Sequence, residues 1–316
     1  MKNENRIIVI GASAGGVQAL QQLAATLSPD IAAPILVVLH IGAHRSQLPD
    51  LLAGHGRLPA VFAESGMIPE AGTIYMAPPD HHLLLENGRL NLFKGPKEHF
   101  SRPAIDPLFR SAALHSGNAV IGVILTGMLE DGSAGLDAIK ACGGTTVVQD
   151  PSEAVQASMP RSAISATAVD HVVRLDAMAD LLKRLSLPVE QANANAPDWL
   201  RVAHAISLGH GDLEELGRIG TSSGFTCPDC GGSLFELKHG ALRYLCHTGH
   251  AFSLLSLVEA HDVVTEELLW SGLRALQEKE TLLRHLAATQ AADDPACQKD
   301  SLAEADDIAA LIAQMW

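Results

Sequence analysis

The chain has 316 residues, 47% of them hydrophobic, which excludes a disordered polymer and fits two globular domains rather than one. Its formal net charge is −14, with 18 acidic against 8 basic residues after position 190, so nucleic acid is not expected as the main partner. Neither a membrane-spanning apolar run nor a signal-peptide pattern is present, and we therefore expect a cytoplasmic protein without membrane insertion.

Strand-like and helix-like segments alternate along residues 1–185, a pattern that predicts an α/β fold with a mostly parallel, doubly wound sheet. The strand candidates are Ile7–Ile10, Ile35–Leu39, Thr73–Ala77, Val120–Leu125, Thr145–Gln149 and His171–Arg174. The helix candidates are Val17–Leu27, Asp106–His115, Gly135–Ala141, Ala154–Ser158, Arg161–Ala166 and Ala177–Leu185. Asn87-Gly88 between two apolar runs further predicts a hairpin insertion within His82–Leu92.

The first predicted strand ends in a glycine-rich turn, Gly11-Ala-Ser-Ala-Gly-Gly16, before a helix. A serine on such a strand-to-helix turn can be held with its oxygen exposed, so Ser13 is a candidate nucleophile. A dinucleotide-binding loop is an alternative, although that motif has a second glycine at the position of Ser13 and an acidic residue where the next strand here ends in His40. A strand-helix connection without chemistry is the third alternative.

Three residues with hydrolytic chemistry follow predicted strands, namely Ser13, His40 and Asp131. The carboxyl ends of parallel strands share one edge of a sheet, where loops can gather such residues. A histidine can take the serine proton while a carboxylate orients the ring, and backbone amides around Met128 are candidate oxyanion donors. The chain order Ser-His-Asp differs from the order in α/β-hydrolases. Alternatives stay open for the base (His44, His81, His82, His115) and for the carboxylate (Glu130).

Six segments, in order along about residues 5–185, resemble the catalytic domain of the chemotaxis protein-glutamate methylesterases, the CheB type. They are Ile10-Gly-Ala-Ser-Ala-Gly-Gly16, Val37-Val-Leu-His40, Gly72–Leu85, Arg102–Phe109, Leu125-Thr-Gly-Met-Leu-Glu-Asp-Gly132 and Ser158–Ile164. The resemblance implies a Ser13-His40-Asp131 triad, with Met128 and Ala14 at the oxyanion and substrate site. It also implies hydrolysis of glutamyl methyl esters on the cytoplasmic domains of chemoreceptors, and deamidation of receptor glutamines by some members.

The residues depart from the family pattern after His40, where Ile41-Gly-Ala-His-Arg-Ser46 replaces the usual loop, and at Glu130 beside the triad. Because the chain starts at the catalytic strand, we expect no receiver domain and no control through its phosphorylation. The expected function is that of a protein-glutamate methylesterase, with chemosensory signalling proteins as further partners. An esterase or amidase with another substrate, and an idle scaffold of a chemosensory-like complex, are the alternatives.

Residues 186–198 lose the periodicity and predict a linker between a catalytic domain, 1–185, and a C-terminal region, 199–316. There, Cys227-x2-Cys230 is followed by Cys246-x3-His250, the spacing of a structural zinc (Zn2+) site in a zinc-ribbon-like module at 225–252. His247 is the alternative fourth ligand, and a metal-free turn is the alternative to a metal site. Leucines at heptad-like spacing predict a long helix over 254–289, with either a core face or a coiled-coil face.

Overall fold

The computed structural model describes residues 5–41, 46–189, 195–290 and 295–315. The chain forms two compact units, Met1–Leu257 and Val258–Trp316. His44 and most of the changed loop after His40 (residues 42–45) lie outside the described residues, as do residues 190–194 of the expected linker. The domain bounds drawn from the sequence stay predictions.

The first unit contains a seven-stranded sheet in which every pair of neighbouring strands is parallel. The elements up to residue 185 are β1 Ile7–Ala12, α1 Gly16–Thr26, β2 Ile35–Leu39, α2 Leu48–His55, β3 Ala60–Phe62, β4 Ile74–Met76, β5 His82–Glu86, β6 Arg89–Phe93, α3 Ile105–Ser116, β7 Val120–Ile124, α4 Ser133–Ala141, β8 Thr145–Gln149, α5 Ser158–Ala166, β9 His171–Val173 and α6 Leu175–Leu185. The strand order is β3-β4-β2-β1-β7-β8-β9, and β5 and β6 pair separately as an antiparallel hairpin.

The residues of β1 show why the sheet is covered on both faces. Ile8 and Ile10 belong to one buried apolar cluster, whereas Ile7 and Val9 belong to a second one. Since successive strand residues point to opposite faces, a strand buried on both sides needs an almost continuous apolar run. The predicted parallel sheet with helices on both faces and a hairpin insertion is confirmed.

The helix predicted over Ala154–Ser158 is wrong, because this segment forms a turn that binds the loop after β7. The Gly127 N–H donates to the Gln156 carbonyl (3.0 Å), and the Gln156 N–H donates to Thr126 Oγ1 (2.8 Å). Backbone groups that are bound in this way cannot also form helical hydrogen bonds. The helix α5 therefore begins only at Ser158. The short elements α2 and β3 escape prediction because they contain too few residues for a periodic pattern.

The rest of the first unit is a four-stranded antiparallel sheet preceded by two helices. Its elements are α7 Asp198–Ser207, α8 Leu213–Ile219, β10 Gly220–Thr226, β11 Ser233–Leu237, β12 Tyr244–Cys246 and β13 Ala251–Phe252. We call residues 220–252 the cysteine module. Because β11 pairs antiparallel with β12, the chain returns toward the first cysteine pair.

The long helix α9 runs from Leu254 to Gln290, and α10 covers Pro295–Gln314. Within the second unit, Lys279 Nζ lies 2.7 Å from Glu304 Oε1, and an Arg284–Asp306 ion pair also joins the two helices. The predicted long helix is confirmed. No helix in the described ranges is long and apolar enough to cross a membrane.

Candidate active site and cysteine centre

The candidate active site lies where the sheet topology reverses. In the sheet, β1 has β2 on one side and β7 on the other, so the chain leaves β1 and β7 in different directions at their carboxyl ends. Backbone hydrogen bonds join the turns at these ends. The Ser13 N–H donates to the Thr126 carbonyl (3.0 Å), and the His40 N–H donates to the Ala12 carbonyl (3.2 Å). The turns after three neighbouring strands are therefore held together.

The side chains of Ser13, His40 and Asp131 form a continuous hydrogen-bonded chain. His40 Nδ1 lies 3.1 Å from Ser13 Oγ, and His40 Nε2 lies 2.6 Å from Asp131 Oδ2. When Nε2 carries the proton, it donates to the carboxylate, and Nδ1 is free to accept the serine proton. The carboxylate that contacts His40 is that of Asp131, while Glu130 lines a cavity of about 590 Å³.

Asp131 is held as an ionised acceptor in the interior. Its side chain is 1% exposed, and its two oxygens accept the N–H groups of Ile105 (2.7 Å) and Asp106 (3.1 Å), at the first residues of α3. Burial by itself would raise the pKa of Asp131. The hydrogen bond and charge of His40, the charge of His99 and the Ile105 amide outweigh burial and hold the pKa well below its usual range.

The loop after β7 approaches Ser13 closely. A Cβ at Gly127 would lie 2.9 Å from the Cβ of Ser13 and 2.6 Å from Cε of Met159, so only glycine fits without displacement. Leu129 has φ +64°, a left-handed conformation that costs a non-glycine residue about 1 kcal/mol. Strained backbone of this kind occurs at ligand-binding and catalytic loops. Met128 lies between these two residues, with its side chain 54% exposed.

Near Asp131 lies a cluster of buried charged side chains. Arg110 pairs with Glu98 at 2.5 Å, and His99 Nε2 lies 3.1 Å from Asp106 Oδ2. Arg243, from the cysteine module, is 4% exposed, and its Nε has no hydrogen-bond partner among the residues described. Burial alone would lower the pKa of His99, but its hydrogen bond to Asp106 and the nearby carboxylate charges raise it. None of these contacts was predicted from the sequence.

The cysteine module gathers four metal-ligating side chains. The ligand atoms of Cys227, Cys230, Cys246 and His250 all lie within 4.8 Å of one another. Sγ of Cys246 is 3.8 Å from Sγ of Cys230 and 3.5 Å from Nδ1 of His250. Ligands at about 2.0–2.3 Å from a shared tetrahedral zinc are themselves separated by roughly 3.5–3.8 Å. The cluster can therefore bind a metal ion, and His250, rather than the exposed His247, is its fourth member.

Comparison with known proteins gives the same result as the motifs. The family of CheB methylesterases matches residues 8–182, more than half of the chain. The chain belongs to the CheB methylesterase family. A Leptospira interrogans protein provisionally named protein-glutamate methylesterase/protein-glutamine glutaminase is 44% identical over 180 residues, which are 56% of this chain and 93% of that protein.

Two further relatives agree with the CheB assignment. The protein-glutamate methylesterase/protein-glutamine glutaminase 2 of Anaeromyxobacter dehalogenans is 40% identical over 181 residues, covering 57% of this chain and 53% of that protein. The crystal structure of the Thermotoga maritima CheB methylesterase catalytic domain is 33% identical, with a TM-score of 0.54. It covers 58% of this chain and 99% of that domain. The cysteine module and the second unit lie outside the family match.

Two of the alternative bases, His81 and His82, contact backbone carbonyls. His82 is buried, with Nε2 2.8 Å from the Pro96 carbonyl, and His81 Nδ1 lies 3.0 Å from the Pro79 carbonyl. Sequence reasoning missed Asp106, whose amide binds Asp131. The sequence did contain a signal for Asp106, because this residue lies in Arg102–Phe109, one of the segments that carry the family resemblance.

Proposed function

We propose that this protein is a serine esterase that removes methyl esters from glutamate side chains of chemoreceptor cytoplasmic helices. The observation that carries the proposal is the hydrogen-bonded chain from Ser13 Oγ through His40 to Asp131. Membership in the CheB family and the names of the relatives support the substrate class. We also propose a cytoplasmic location, where these receptor domains and other chemosensory signalling proteins are found.

In the proposed reaction, Ser13 Oγ attacks the ester carbonyl carbon while its proton passes to His40 Nδ1. Asp131 stabilises the imidazolium that forms, through the 2.6 Å contact to Nε2. The backbone amides at Met128 and Ala14 would bind the oxyanion, an effect of about 3–4 kcal/mol for each donor. The bond to the methoxy group then breaks, and the proton from His40 leaves with methanol. A water molecule, activated by the same base, hydrolyses the acyl-serine to glutamate and free Ser13.

The same attack on a γ-amide would release ammonia instead of methanol, and the names of both protein relatives include glutaminase activity. We therefore propose glutamine deamidation as a second reaction of this site. Its test is ammonia release from a receptor fragment with unmodified glutamines, with the Ser13→Ala variant as the blank.

The primary experiment measures methanol release from a methyl-esterified chemoreceptor cytoplasmic fragment. We expect release by the wild type and by Ser65→Ala, a matched control at an exposed serine, but none by Ser13→Ala. If the wild type releases no methanol yet hydrolyses p-nitrophenyl acetate in a Ser13-dependent manner, the esterase has another substrate. If Ser13→Ala equals the wild type on both esters, the serine mechanism is wrong.

We further propose that Cys227, Cys230, Cys246 and His250 hold a structural zinc ion. Four protein ligands would fill the tetrahedral positions, so this ion would stabilise the module rather than activate water. We expect one zinc per chain by elemental analysis, retained in Cys142→Ala, whose cysteine lies outside the cluster, and lost in Cys227→Ser. A Cys227→Ser variant that keeps its full zinc content would overturn the assignment.

A further inference from the structure

His99 connects the candidate active site to the cysteine module. It lies between β6 and α3, is 5% exposed, and uses both ring nitrogens. Nε2 lies 3.1 Å from Asp106 Oδ2, and Nδ1 lies 3.1 Å from Ser256 Oγ at the start of α9. A carboxylate only accepts hydrogen bonds, so the Nε2 proton points at Asp106.

Asp106 carries the connection to the triad. Its backbone N–H donates to Asp131 Oδ1 (3.1 Å), and its Oδ1 accepts the N–H of Gly135 in α4 (2.6 Å). The Asp106 carboxylate therefore lies between His99 and α4, while its own amide orients the carboxylate that faces His40. A displacement of Asp106 would move one of the two backbone donors that hold Asp131.

The opposite side of His99 is held by the cysteine module and the residues after it. The His99 N–H donates to the Ala251 carbonyl in β13 (3.0 Å). The ring of the adjacent Phe100 packs edge-on against Phe252, with centroids 5.7 Å apart. Ser256 Oγ in turn accepts the Ser253 N–H (2.9 Å), so the hydroxyl that binds His99 is itself fixed in position.

The charges around His99 favour this arrangement. Glu98 precedes it, Asp106 contacts its ring, and the charge of Asp131 acts on it, while Arg110 and Arg243 lie among the same carboxylates. Burial opposes the protonated form of His99, but the hydrogen bond to Asp106 and these carboxylate charges raise its pKa. The atoms of His99, Asp106 and Asp131 are also close enough to hold a cation. Their oxygens and ring nitrogens already bind one another and neighbouring backbone N–H groups, so we assign no metal to them.

We infer that His99 is a positioning residue of the esterase, through which the cysteine module holds Asp106 and thereby Asp131 in their working geometry. This inference rests on the proposed function, because it assigns His99 a role in the same reaction. It goes beyond that function because it gives the cysteine module, which lies outside the residues matched by the family, a role in supporting the hydrolytic centre.

The test compares His99→Leu with His99→Gln in the full-length chain. Leucine fills much of the same space but has no polar atom, whereas the glutamine amide can still donate to Asp106. We measure kcat and KM for p-nitrophenyl acetate, a small ester whose hydrolysis needs the triad but no receptor. Because a small misplacement of reacting groups costs about 100-fold in rate, we expect kcat to fall at least tenfold in His99→Leu, with KM within about twofold. His99→Gln should retain at least a third of the wild-type kcat.

A second pair of variants tests the contact between His99 and α9. Ser256→Ala removes the hydroxyl that contacts His99 Nδ1, and Ser207→Ala is a matched control because the hydroxyl of this buried serine donates to the Ala203 carbonyl in its own helix. We expect kcat to fall about threefold in Ser256→Ala and not to change in Ser207→Ala. If His99→Leu does not fold, this pair decides the question.

Wild-type kcat in a folded His99→Leu, or equal kcat values in the two serine variants, would overturn the inference. A fall in kcat that His99→Gln shares fully would also overturn it, because the donor to Asp106 would then be irrelevant. Ser13→Ala in the same assay separates the two claims. If it keeps wild-type activity, the proposed function itself fails.

Discussion

The substitution Asp131→Asn tests the proposed triad most directly, because it changes one oxygen into an NH2 group at nearly constant volume. In the wild type, both carboxylate oxygens face donors: the His40 ring and the Ile105 amide at Oδ2, and the Asp106 amide at Oδ1. An asparagine has only one acceptor oxygen to offer. Each of its two orientations therefore conflicts with the surrounding donors.

If the NH2 group takes the place of Oδ2, it donates to Nε2 and shifts the ring proton to Nδ1, so His40 can no longer accept the proton of Ser13. In this position it also opposes the N–H of Ile105. If the NH2 group faces Asp106, the ring keeps its tautomer, but two N–H donors oppose each other in the interior, and the imidazolium loses its counter-charge. The first orientation corresponds to a loss of about 10⁴-fold in kcat in serine proteases, or ~5.4 kcal/mol. Either orientation leaves a buried donor unsatisfied, the N–H of Ile105 in the first and that of Asp106 in the second, at a cost of about 1–3 kcal/mol in stability.

We therefore expect kcat for p-nitrophenyl acetate to fall by roughly 10³- to 10⁴-fold in Asp131→Asn. The matched control is Glu130→Gln, a neighbouring carboxyl that lines the cavity, whereas the carboxylate in contact with His40 is that of Asp131; it should change kcat far less than Asp131→Asn does. A folded Asp131→Asn variant within threefold of the wild type would refute the role of Asp131. A large loss in Glu130→Gln alone would move that role to Glu130.

The Asp131→Asn variant should also differ from the wild type in how its unfolding free energy depends on pH. The pKa of Asp131 is lower in the folded chain than in the unfolded chain, so its ionisation stabilises the fold above the unfolded pKa of about 3.9. This contribution is lost as the pH falls through the folded pKa. The difference in unfolding free energy between wild type and Asp131→Asn should thus be larger at pH 7 than at pH 3. Urea unfolding at both pH values measures it, and an equal difference would contradict the assigned hydrogen bonds.

Four further outcomes follow from other contacts. Gly127→Ala should lower kcat at least tenfold with a stability loss of about 1–3 kcal/mol, because its Cβ would press on the Cβ of Ser13; an unchanged rate in the ester assay contradicts this close approach. Glu98→Gln should lower the unfolding free energy by about 3–5 kcal/mol, since it leaves Arg110 buried without its carboxylate, as urea titration can show. Arg110 lowers the pKa of Glu98 to about 2 although burial opposes it, so the wild type should lose stability as the pH falls from 4.5 toward 2. Removal of zinc with a strong chelator should lower the melting temperature of the wild type but not that of Cys227→Ser.

The candidate triad could be predicted from the sequence because the ends of the strands can be located in it. β1 and β2 are apolar runs buried on both faces, and a polar residue follows each of them at the sheet edge. Parallel pairing then brings such residues together without any knowledge of the loops between them. The choice between Asp131 and Glu130 was different. It depends on which of two adjacent side chains turns toward His40, and only the loop conformation, with Leu129 in the left-handed region, decides that.

The connection through His99 could not be predicted for a related reason. Its partners are Ala251 and Ser256, about 150 residues away, and neither residue type signals a contact in the sequence. The cysteine spacing predicts that the module folds around its own ligands, which is a local property. Where the module packs depends instead on tertiary contacts, such as that of Phe252 with Phe100. In the structure the module is joined to its neighbour by the contact of Phe252 with Phe100 and by the hydrogen bond from the His99 N–H to the Ala251 carbonyl. Because the module holds His99, we expect its loss to lower the rate of the chemical step before it weakens substrate binding.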